Sequence, residues 1–396
     1  MDIPKGWVVL VSGALAIGAC GDSTSGDGAS GPGGNGGDGA SSSGSSGDGS
    51  SGGGAPPLPT NPADGPPAGN PGGKCAVPTE AQAEDISSPR TVVGTGTPES
   101  CTGDAFVAAV AAGGVITFDC GPAPTTITLT KTAKVFNDKG PKVVIDGGGK
   151  VTLDGGGKVR ILYQNVCDQA QVWTSADCNN QSDPVLSLQN LTFVGGNAKG
   201  LETGENDGGG GAVYVRGGRL KIINSRFFGN VCDDLGSDVG GGAVRVLQHV
   251  NGGSVSRPTY IVNSTFGGKA GFGNTCANGG AISSIGVSYT ILNSHLSDNK
   301  AIGQGANDGQ GGNGGAIYND GNTFNLEVCG SIIEDNQANE GGSAIFYVSN
   351  DRSGMLFIKD STLRRNPRGT FETDGFPGLF VLAQSPPQVE NSTIER

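Results

Sequence analysis

The chain has 396 residues, 74 of them glycine, and a formal net charge of −12 at pH 7. It contains no basic run, so composition argues against a nucleic-acid partner and against unaided adsorption to anionic lipid. The glycines follow no strict Gly-X-Y period, which excludes collagen.

The N-terminus has the pattern of an exported protein. An uncharged run from Trp7 to Ala19 is too short to span a bilayer, so we interpret it as a secretory signal. The segment Ile17-Gly18-Ala19-Cys20 resembles the lipobox of bacterial lipoproteins. That resemblance implies that residues 1–20 are a lipoprotein signal peptide and that Cys20 becomes a lipid-modified N-terminus. An ordinary signal peptide with a chance cysteine is the alternative.

Residues 21–74 are almost entirely Gly, Ser, Asp, Asn, Ala and Pro. Such a segment cannot bury enough apolar surface to offset the entropy lost on ordering, so we expect a disordered tether. A flexible chain of this length has a root-mean-square reach of about 40 Å. The folded domain is then expected to occupy residues 75–396.

Eight cysteines remain after Cys20, and an even number in an exported chain indicates disulfides. No Cys-x-x-Cys motif occurs, so a zinc ribbon is not expected. Sequence proximity favours the pairs Cys101–Cys120, Cys167–Cys178 and Cys232–Cys276, the first two above the third. Cys75 and Cys329 have no evident mate.

A short helix is predicted from Thr102 to Gly113. Thr102 suits the N-cap, Asp104 suits the first turn, and Gly113 suits the position just beyond the last turn. Strand-like segments follow the helix, among them KVVIDGGG and KVTLDGGG. An open end of a strand stack exposes edges and apolar core, so we expect this helix to cover the first turn.

Two motifs then alternate at a period of roughly 30–40 residues. The first is Gly-Gly-Ala with a branched aliphatic residue, at Gly210–Val213, Gly241–Val244, Gly279–Ile282, Gly314–Ile317 and, more loosely, Gly341–Ile345. The second centres on a column that reads Asn190, Asn224, Asn263, Asn293, Gly330, Asp360 and Asn391.

The residues around that column predict strand, tight corner, strand. Every residue type in it tolerates a left-handed backbone, and none is β-branched. Apolar residues stand two positions before it and three positions after it in each copy, as Ile222 and Phe227 do around Asn224. A helix would need a spacing near 3.6 instead. The fold class predicted is therefore all-β, a solenoid in which each strand pairs with its equivalent in the next turn.

The chain resembles right-handed parallel β-helix proteins of the pectin lyase-like class. Its Gly-Gly-Ala units and its Phe/Leu/Ile-x-x-Asn segments resemble the repeats of polymorphic outer membrane proteins. The second motif occurs at Phe227–Asn230, Leu296–Asn299, Ile333–Asn336 and Leu363–Asn366, and fails at Phe266-Gly-Gly-Lys269. The resemblance implies a right-handed coil. It is much less specific for activity, because this fold hosts many functions.

Acids and amides cluster just before the Gly-Gly-Ala strands. The acids are Glu205, Asp207, Asp233, Asp234, Asp238, Asp308 and Glu340. If the turns stack in register, these oxygens line one edge, where they would suit Ca²⁺ or a cation bridging to an acidic sugar. The alternative is that Asn, Asp and Gly simply form turns.

No residue is assigned a catalytic role. The Gly-His-Gly of polygalacturonases is absent, and Arg219-Leu-Lys221 is only a short match to their Arg-x-Lys. His249 and His295 have no evident catalytic partner. Arg365-Asn-Pro-Arg368 matches only part of a pectate lyase motif.

We therefore expect a cell-surface lipoprotein whose β-helix binds extracellular polysaccharide or a cell-surface component. Its membrane contact would run through the N-terminal lipid, at the bacterial outer membrane or cell surface. A polysaccharide lyase or glycoside hydrolase with unrecognised catalytic residues is the alternative, and a structural surface-layer element is another.

Overall fold

The computed structural model describes residues 65–172, 174–201, 208–247 and 257–396. The signal peptide, Cys20, tether residues 21–64, Glu205, Asp207 and His249 lie outside these ranges. No helix among the described residues is long and apolar enough to cross a membrane.

The described chain is a parallel β-solenoid, as the repeat predicts. The named strands pair in parallel with their equivalents in adjacent turns, for example Ile222 with Ile261 and Ile261 with Ile291. Three faces run along the stack, together with one short ladder. Face A precedes each corner, face B follows it, and face C includes the strands that follow Gly-Gly-Ala.

Face A contains β1 (Thr91–Val93), β2 (Gly114–Phe118), β9 (Arg219–Ile223), β12 (Thr259–Val262), β16 (Tyr289–Leu292), β20 (Asn325–Cys329), β24 (Met355–Lys359) and β27 (Gln388–Glu390). Face B contains β3 (Thr125–Thr128), β10 (Arg226–Phe228), β13 (Thr265–Gly267), β17 (His295–Ser297), β21 (Ile332–Glu334), β25 (Thr362–Arg364) and β28 (Thr393–Ile394). Two long strands, β5 (Lys142–Asp154) and β7 (Val185–Val194), continue from face A into face B.

Face C contains β4 (Ala133–Val135), β6 (Leu162–Asn165), β8 (Val213–Arg216), β11 (Val244–Leu247), β15 (Ile282–Ile285), β19 (Ile317–Gly321), β23 (Ile345–Ser349) and β26 (Leu379–Leu382). The short ladder contains β14 (Thr275–Cys276), β18 (Lys300–Ala301) and β22 (Gln337–Ala338). Single 3₁₀ turns lie at Thr79–Ala81, Pro98–Ser100, Gln169–Gln171 and Cys178–Asn180.

The corner between faces A and B is left-handed in every predicted copy. Positive φ angles occur at Asn190, Asn224, Asn263, Asn293, Gly330, Asp360 and Asn391. The serine that follows most of these residues links successive turns through hydrogen bonds. The Ser264 amide donates to Ser294 Oγ at 3.1 Å, and the Ser294 amide donates to Ser331 Oγ at 3.0 Å. The column is thus scaffold, since it turns the chain and aligns the next strand.

Each residue of the Gly-Gly-Ala motif is required for a different structural reason. The first glycine has positive φ, as at Gly241 and Gly279. The second is pressed against neighbouring turns, so that a Cβ at Gly242 would collide with the carbonyl oxygen of Gly280. The alanine, such as Ala243, is fully buried in the core. Larger side chains at the second and third positions would push the turns apart.

The interior is built from stacked columns of like residues. Phe193, Phe227 and Phe266 are fully buried, with ring centroids 4.7 and 4.5 Å apart and planes within 3° of parallel. Parallel pairing in register places equivalent side chains one strand spacing apart, which suits stacked rings. The repeat therefore produces one continuous core.

A second column of buried amides lies inside the coil. Asn230, Asn274, Asn299, Asn336 and Asn366 pass a hydrogen bond from each Nδ2 to the next Oδ1 at 2.9 to 3.1 Å. Asn274 lies eight residues after Phe266, whereas Asn230 lies three after Phe227. The Phe/Leu/Ile-x-x-Asn motif, which is interrupted at Phe266-Gly-Gly-Lys269, is therefore completed by Asn274 after a loop insertion.

Helix α1 (Gly103–Ala112) covers the first turn, packing against β1 and β4. The Thr102 side chain accepts a hydrogen bond from the Ala105 amide at 3.2 Å, and Gly113 ends the helix with φ 72°. Two residues of this helix, Phe106 and Val110, are fully buried. The predicted capping helix is confirmed.

Four disulfides join the cysteines of the described chain. Three are the pairs that sequence proximity favoured, and the fourth joins Cys75 to Cys329 across 254 residues. Such bonds indicate an oxidising, exported environment.

Residues 65–84 form a segment that we call the clip. Residues 65–74 differ from the tether expectation, because they lie along the corner. The Asn70 amide donates to the Asn293 carbonyl at 2.8 Å, and Asn70 Nδ2 donates to the Gly330 carbonyl at 2.8 Å. After Cys75 the chain turns back along face A, where Lys221 Nζ donates to the Gln82 carbonyl at 2.7 Å.

The clip covers an apolar stripe on the outside of face A. Ala81 is fully buried there against Ile223, Val262 and Leu292, each of which stands one residue before a corner. Composition could not predict this contact, because the clip has little apolar surface of its own and relies on that of the solenoid.

Candidate functional site

The described acids ahead of the Gly-Gly-Ala strands tie neighbouring loops together. Asp233 Oδ1 accepts a hydrogen bond from the Gly200 amide at 2.9 Å, and Asp234 forms an ion pair with Lys199 at 2.6 Å. Both partners belong to the loop of the preceding turn. These contacts hold adjacent loops in fixed register.

Glu340 links three successive loops. Its Oε1 accepts from the Gly305 amide at 2.7 Å, and its Oε2 accepts from the Thr370 hydroxyl at 2.6 Å. Asp308 is exposed. A neighbouring amide, Asn278, donates to the Val239 carbonyl at 3.0 Å. Of the described acids at this edge, Asp233, Asp234 and Glu340 therefore link neighbouring loops.

The described acids do not form a cage of oxygen ligands. Within the described ranges, the one group of three ligand atoms from His, Cys, Asp or Glu that lie within 4.8 Å of one another is Cys75, Cys329 and Asp360. Its two sulfurs are joined in a disulfide and cannot coordinate a metal as thiolates. A Ca²⁺ site at this edge stays a prediction.

Asp238 takes part in a buried cluster on the outside of face C. Its Oδ1 lies 3.2 Å from the Tyr318 hydroxyl, and Asp320 Oδ2 lies 3.2 Å from the same hydroxyl. Tyr318 is fully buried and Asp320 nearly so. A tyrosine hydroxyl carries one proton, so it can donate to only one of the two carboxyls. The other carboxyl fits best when it is protonated and donates to the hydroxyl.

Asp320 is the carboxyl that binds a proton as the pH falls below about 6. Burial, and then the neighbouring Asp238 charge, raise the pKa of Asp320 to about 6. Its Oδ1 accepts from the Gly321 amide and from Asn350 Nδ2, the latter at 3.0 Å. A protonated Asp320 leaves Asp238 as the acceptor of the Tyr318 proton.

The buried Arg245 supplies positive charge to this cluster. Its side chain is fully buried beside Ser283, to which its Nη1 donates at 3.1 Å, and its charge interacts with that of Asp238. Burial lowers the pKa of Arg245, and the nearby Asp238 opposes that change. Because Tyr318 and Arg245 are fully buried and Asp320 nearly so, we regard the cluster as structural.

His295 and Glu334 lie together on the outside of face B. His295 Nε2 is 3.0 Å from Glu334 Oε1, while Glu334 Oε2 accepts from Arg364 Nε at 2.7 Å and from Arg365 Nη2 at 2.8 Å. Burial alone would raise the pKa of Glu334, but the hydrogen bond from Arg364 and the nearby positive charges hold it below its usual value. Arg365, part of the short match to a lyase motif, also pairs with Asp335. Because these oppositely charged groups pair with one another, we interpret the group as a structural link between three turns.

Lys221 has a structural role that the sequence did not reveal. Its ammonium group is nearly buried under the clip and pairs with Glu84 at 2.5 Å. Of the Arg219-Leu-Lys221 match to a hydrolase motif, Lys221 therefore holds the clip, while Arg219 Nε donates to the Ser182 carbonyl at 3.0 Å.

A groove of about 360 Å³ lies at the corner, between the clip and the early turns. Its lining includes Ala68, Gly149, Asn190, Thr192, Asn224 and Arg226. Asn224 Nδ2 donates to Asn190 Oδ1 at 3.3 Å, and Arg226 Nε donates to Thr192 Oγ1 at 3.0 Å. Burial lowers the pKa of the Arg226 guanidinium. The groove thus combines amides, a hydroxyl and a cation with apolar surface that includes Pro124 and Leu191.

Sequence reasoning assigned Asn190 and Asn224 to the corner but missed the groove. Its wall is made by Ala68, which lies in the segment that composition placed in the tether. The outward position of Arg226, two residues after a corner, was the one signal for it in the sequence.

Comparison with known proteins adds no further assignment: no family model matches the chain, and neither does a curated protein or a solved structure.

Proposed function

We propose that this chain is a bacterial surface lipoprotein whose β-solenoid binds extracellular glycan or a neighbouring cell surface. In this proposal the solenoid is a right-handed parallel β-helix of the pectin lyase-like class, with repeats of the polymorphic outer membrane protein type. The Gly-Gly-Ala and corner columns support that classification, because both recur at the period of the turns.

The observation that carries the proposal is the fixed, polar loop edge. Asp233 and Glu340 tie the loops of successive turns through hydrogen bonds to Gly200, Gly305 and Thr370. Loops that are ordered before binding lose less conformational entropy when a ligand docks. A rigid stack that presents polar loops is well suited to recognise an extended, hydroxyl-rich polymer.

The test is binding without cleavage. The full chain, carrying Cys20→Ser so that it stays unlipidated, is applied to immobilised acidic and neutral polysaccharides with and without Ca²⁺. We expect retention on at least one polysaccharide and no new reducing ends or unsaturated sugars. Release of such products would show a lyase or hydrolase instead, and no retention on any polymer would refute the glycan proposal.

The lipid anchor has a separate test. Ile17-Gly18-Ala19-Cys20 supports it, and a long Gly/Ser segment behind it would give the domain reach from the membrane. The Cys20→Ser chain should move from the membrane fraction to the soluble fraction of the cell envelope, whereas Cys167→Ser should not. Equal membrane association of the wild-type and Cys20→Ser chains would contradict the anchor.

A further inference from the structure

We propose that the Cys75–Cys329 disulfide is a mechanical stop, which passes tension on the chain ahead of residue 65 into β20 and shelters the turns before it from unravelling. The inference rests on the proposed surface attachment, because such tension arises in a domain that is anchored at one end and bound to a ligand elsewhere. Tension applied to the purified chain tests the stop directly, whether or not lipid and glycan are present.

The first half of the clip, residues 65–74, crosses successive turns and is held by a few hydrogen bonds at each. The Gly69 amide donates to Thr265 Oγ1 at 2.8 Å, and on the next turn the Asn70 amide donates to the Asn293 carbonyl at 2.8 Å. Tension from residue 65 reaches these contacts one after another, so it breaks only a few hydrogen bonds at a time. This half of the clip would therefore come free first, and its ten residues would add about 3.5 nm of length.

Cys75 ends this peeling because a covalent bond fastens it to the stack. Its sulfur is joined to that of Cys329, 254 residues later in the chain. Its backbone amide also donates to Asn293 Oδ1, and its carbonyl accepts from Asn293 Nδ2, both at 2.9 Å. Hydrogen bonds yield singly, whereas the disulfide does not, so the tension passes through Cys329 into β20.

Strand β20 is better placed to bear tension than β1, where the tension would otherwise enter the solenoid. Strand β20 has five residues and pairs in parallel with β16 on one side and β24 on the other. Within the described chain β1 has three residues and pairs with β2 alone. Each turn of a solenoid contacts only its neighbours, so the end turns come away more easily than interior ones. The stop thus moves the load from a short end strand to a strand that is held on both sides.

The sheltered part of the chain, residues 76–328, contains α1 and every named strand from β1 to β19. It also contains the loops around Asp233 and Asp308, on the edge where we place the ligand. Tension between the attachment and a ligand on these loops would therefore cross the solenoid without unwinding its turns from the N-terminal side.

The experiment stretches single molecules of the full chain carrying Cys20→Ser, called the parent chain, under oxidising conditions. One handle is attached at the N-terminus, and the other at an azide-bearing residue in place of Asp308, which is exposed. In the parent chain we expect residues 65–74 to add about 3.5 nm to the length of the chain ahead of them, and no turn to unravel before the solenoid itself ruptures.

Cys75→Ser/Cys329→Ser should instead unravel from β1 towards residue 308, at a lower force. Its length should increase by about 55 nm more, because the three remaining disulfides keep their own loops closed. Cys167→Ser/Cys178→Ser, which lacks a disulfide inside the sheltered part, should behave as the parent chain. If Cys75→Ser/Cys329→Ser holds at the same force and length as the parent chain, the proposal is wrong, and the clip's hydrogen bonds or the capping helix bear the tension.

A second geometry checks that Cys75→Ser/Cys329→Ser is folded. With handles at residue 308 and at the C-terminus, tension strips the turns after β20 first, so both chains should rupture at the same force. Should the variant rupture at a lower force, a phosphine is added to the parent chain held under tension, which cleaves the bond in a natively folded molecule. Unravelling then supports the stop, and continued holding once both thiols react with maleimide contradicts it. Neither outcome depends on retention by polysaccharides or on membrane fractionation, which decide the proposed function separately.

Discussion

We expect the stability of the wild-type chain to depend on pH between about pH 4 and pH 6, and replacing Asp320 with Asn should remove this dependence. In the folded chain the pKa of Asp320 is raised from 3.8 to about 6, chiefly by burial and then by the Asp238 charge. Between those two values the folded chain keeps a proton that the unfolded chain has released. The free energy of unfolding therefore falls as pH rises through this window.

The size of the effect follows from the shift. A difference of about two pKa units corresponds to a loss of about 3 kcal/mol between pH 4 and pH 7. Asn is the neutral isostere of the protonated acid. Its Nδ2 can donate to the Tyr318 hydroxyl, whose own proton then goes to Asp238, and its Oδ1 keeps the bonds from Gly321 and Asn350. The bond from Asn307 Nδ2 to Asp320 Oδ2 at 3.4 Å is lost in the variant.

Thermal unfolding at a series of pH values, with disulfides intact, provides the measurement. The stability of Asp320→Asn relative to wild type should rise by about 3 kcal/mol from pH 4 to pH 7. Glu84, Glu334 and Asp335 have lowered pKa values, and their opposite contribution cancels in this difference because both chains carry them. Asp308→Asn, at an exposed site, should show no such change. A difference between Asp320→Asn and wild type that stays constant across this range would refute the proton-sharing arrangement.

Two further predictions concern the clip and the inner amide column. Removing the Cys75–Cys329 bond with Cys75→Ser and Cys329→Ser should speed amide hydrogen exchange in residues 65–84 and lower the free energy of unfolding by about 2–5 kcal/mol. The matched Cys167→Ser/Cys178→Ser chain should keep the clip protected from exchange. Unchanged exchange in the first variant would contradict the clip's dependence on its disulfide. Asn299→Ala should lower the free energy of unfolding by about 2–4 kcal/mol, because Asn274 Nδ2 and Asn336 Oδ1 both lose a buried partner. Asn322→Ala, at an exposed loop position, serves as the control. Equal melting temperatures of the two variants would contradict a stabilising role of the inner amide column.

The features that repeat in every turn could be predicted from the sequence. Asn224 and its equivalents sit at left-handed corners, and Ile222 and Phe227 fill the core on either side. Local conformational preference determines the corner, and parallel pairing then copies each side chain onto its equivalent one turn later. The capping helix at Thr102 and the disulfides between cysteines close in sequence follow from similarly local rules.

Contacts between distant segments needed the tertiary structure. Cys75 and Cys329 are 254 residues apart, and no periodicity relates them. Asp238 and Asp320 meet at one hydroxyl because a loop folds over face C, and loop paths do not repeat from turn to turn. Among the predicted acids, Asp233 and Glu340 became loop ties for the same reason.

The sequence alone therefore determined the solenoid, its corners and its core, because each is decided within one turn and then copied. Only the tertiary structure decided the groove at Arg226, since one of its walls comes from a segment with almost no apolar residues. That segment is ordered by the surface on which it lies. Its place was set by the partner it packs against, which local sequence does not encode.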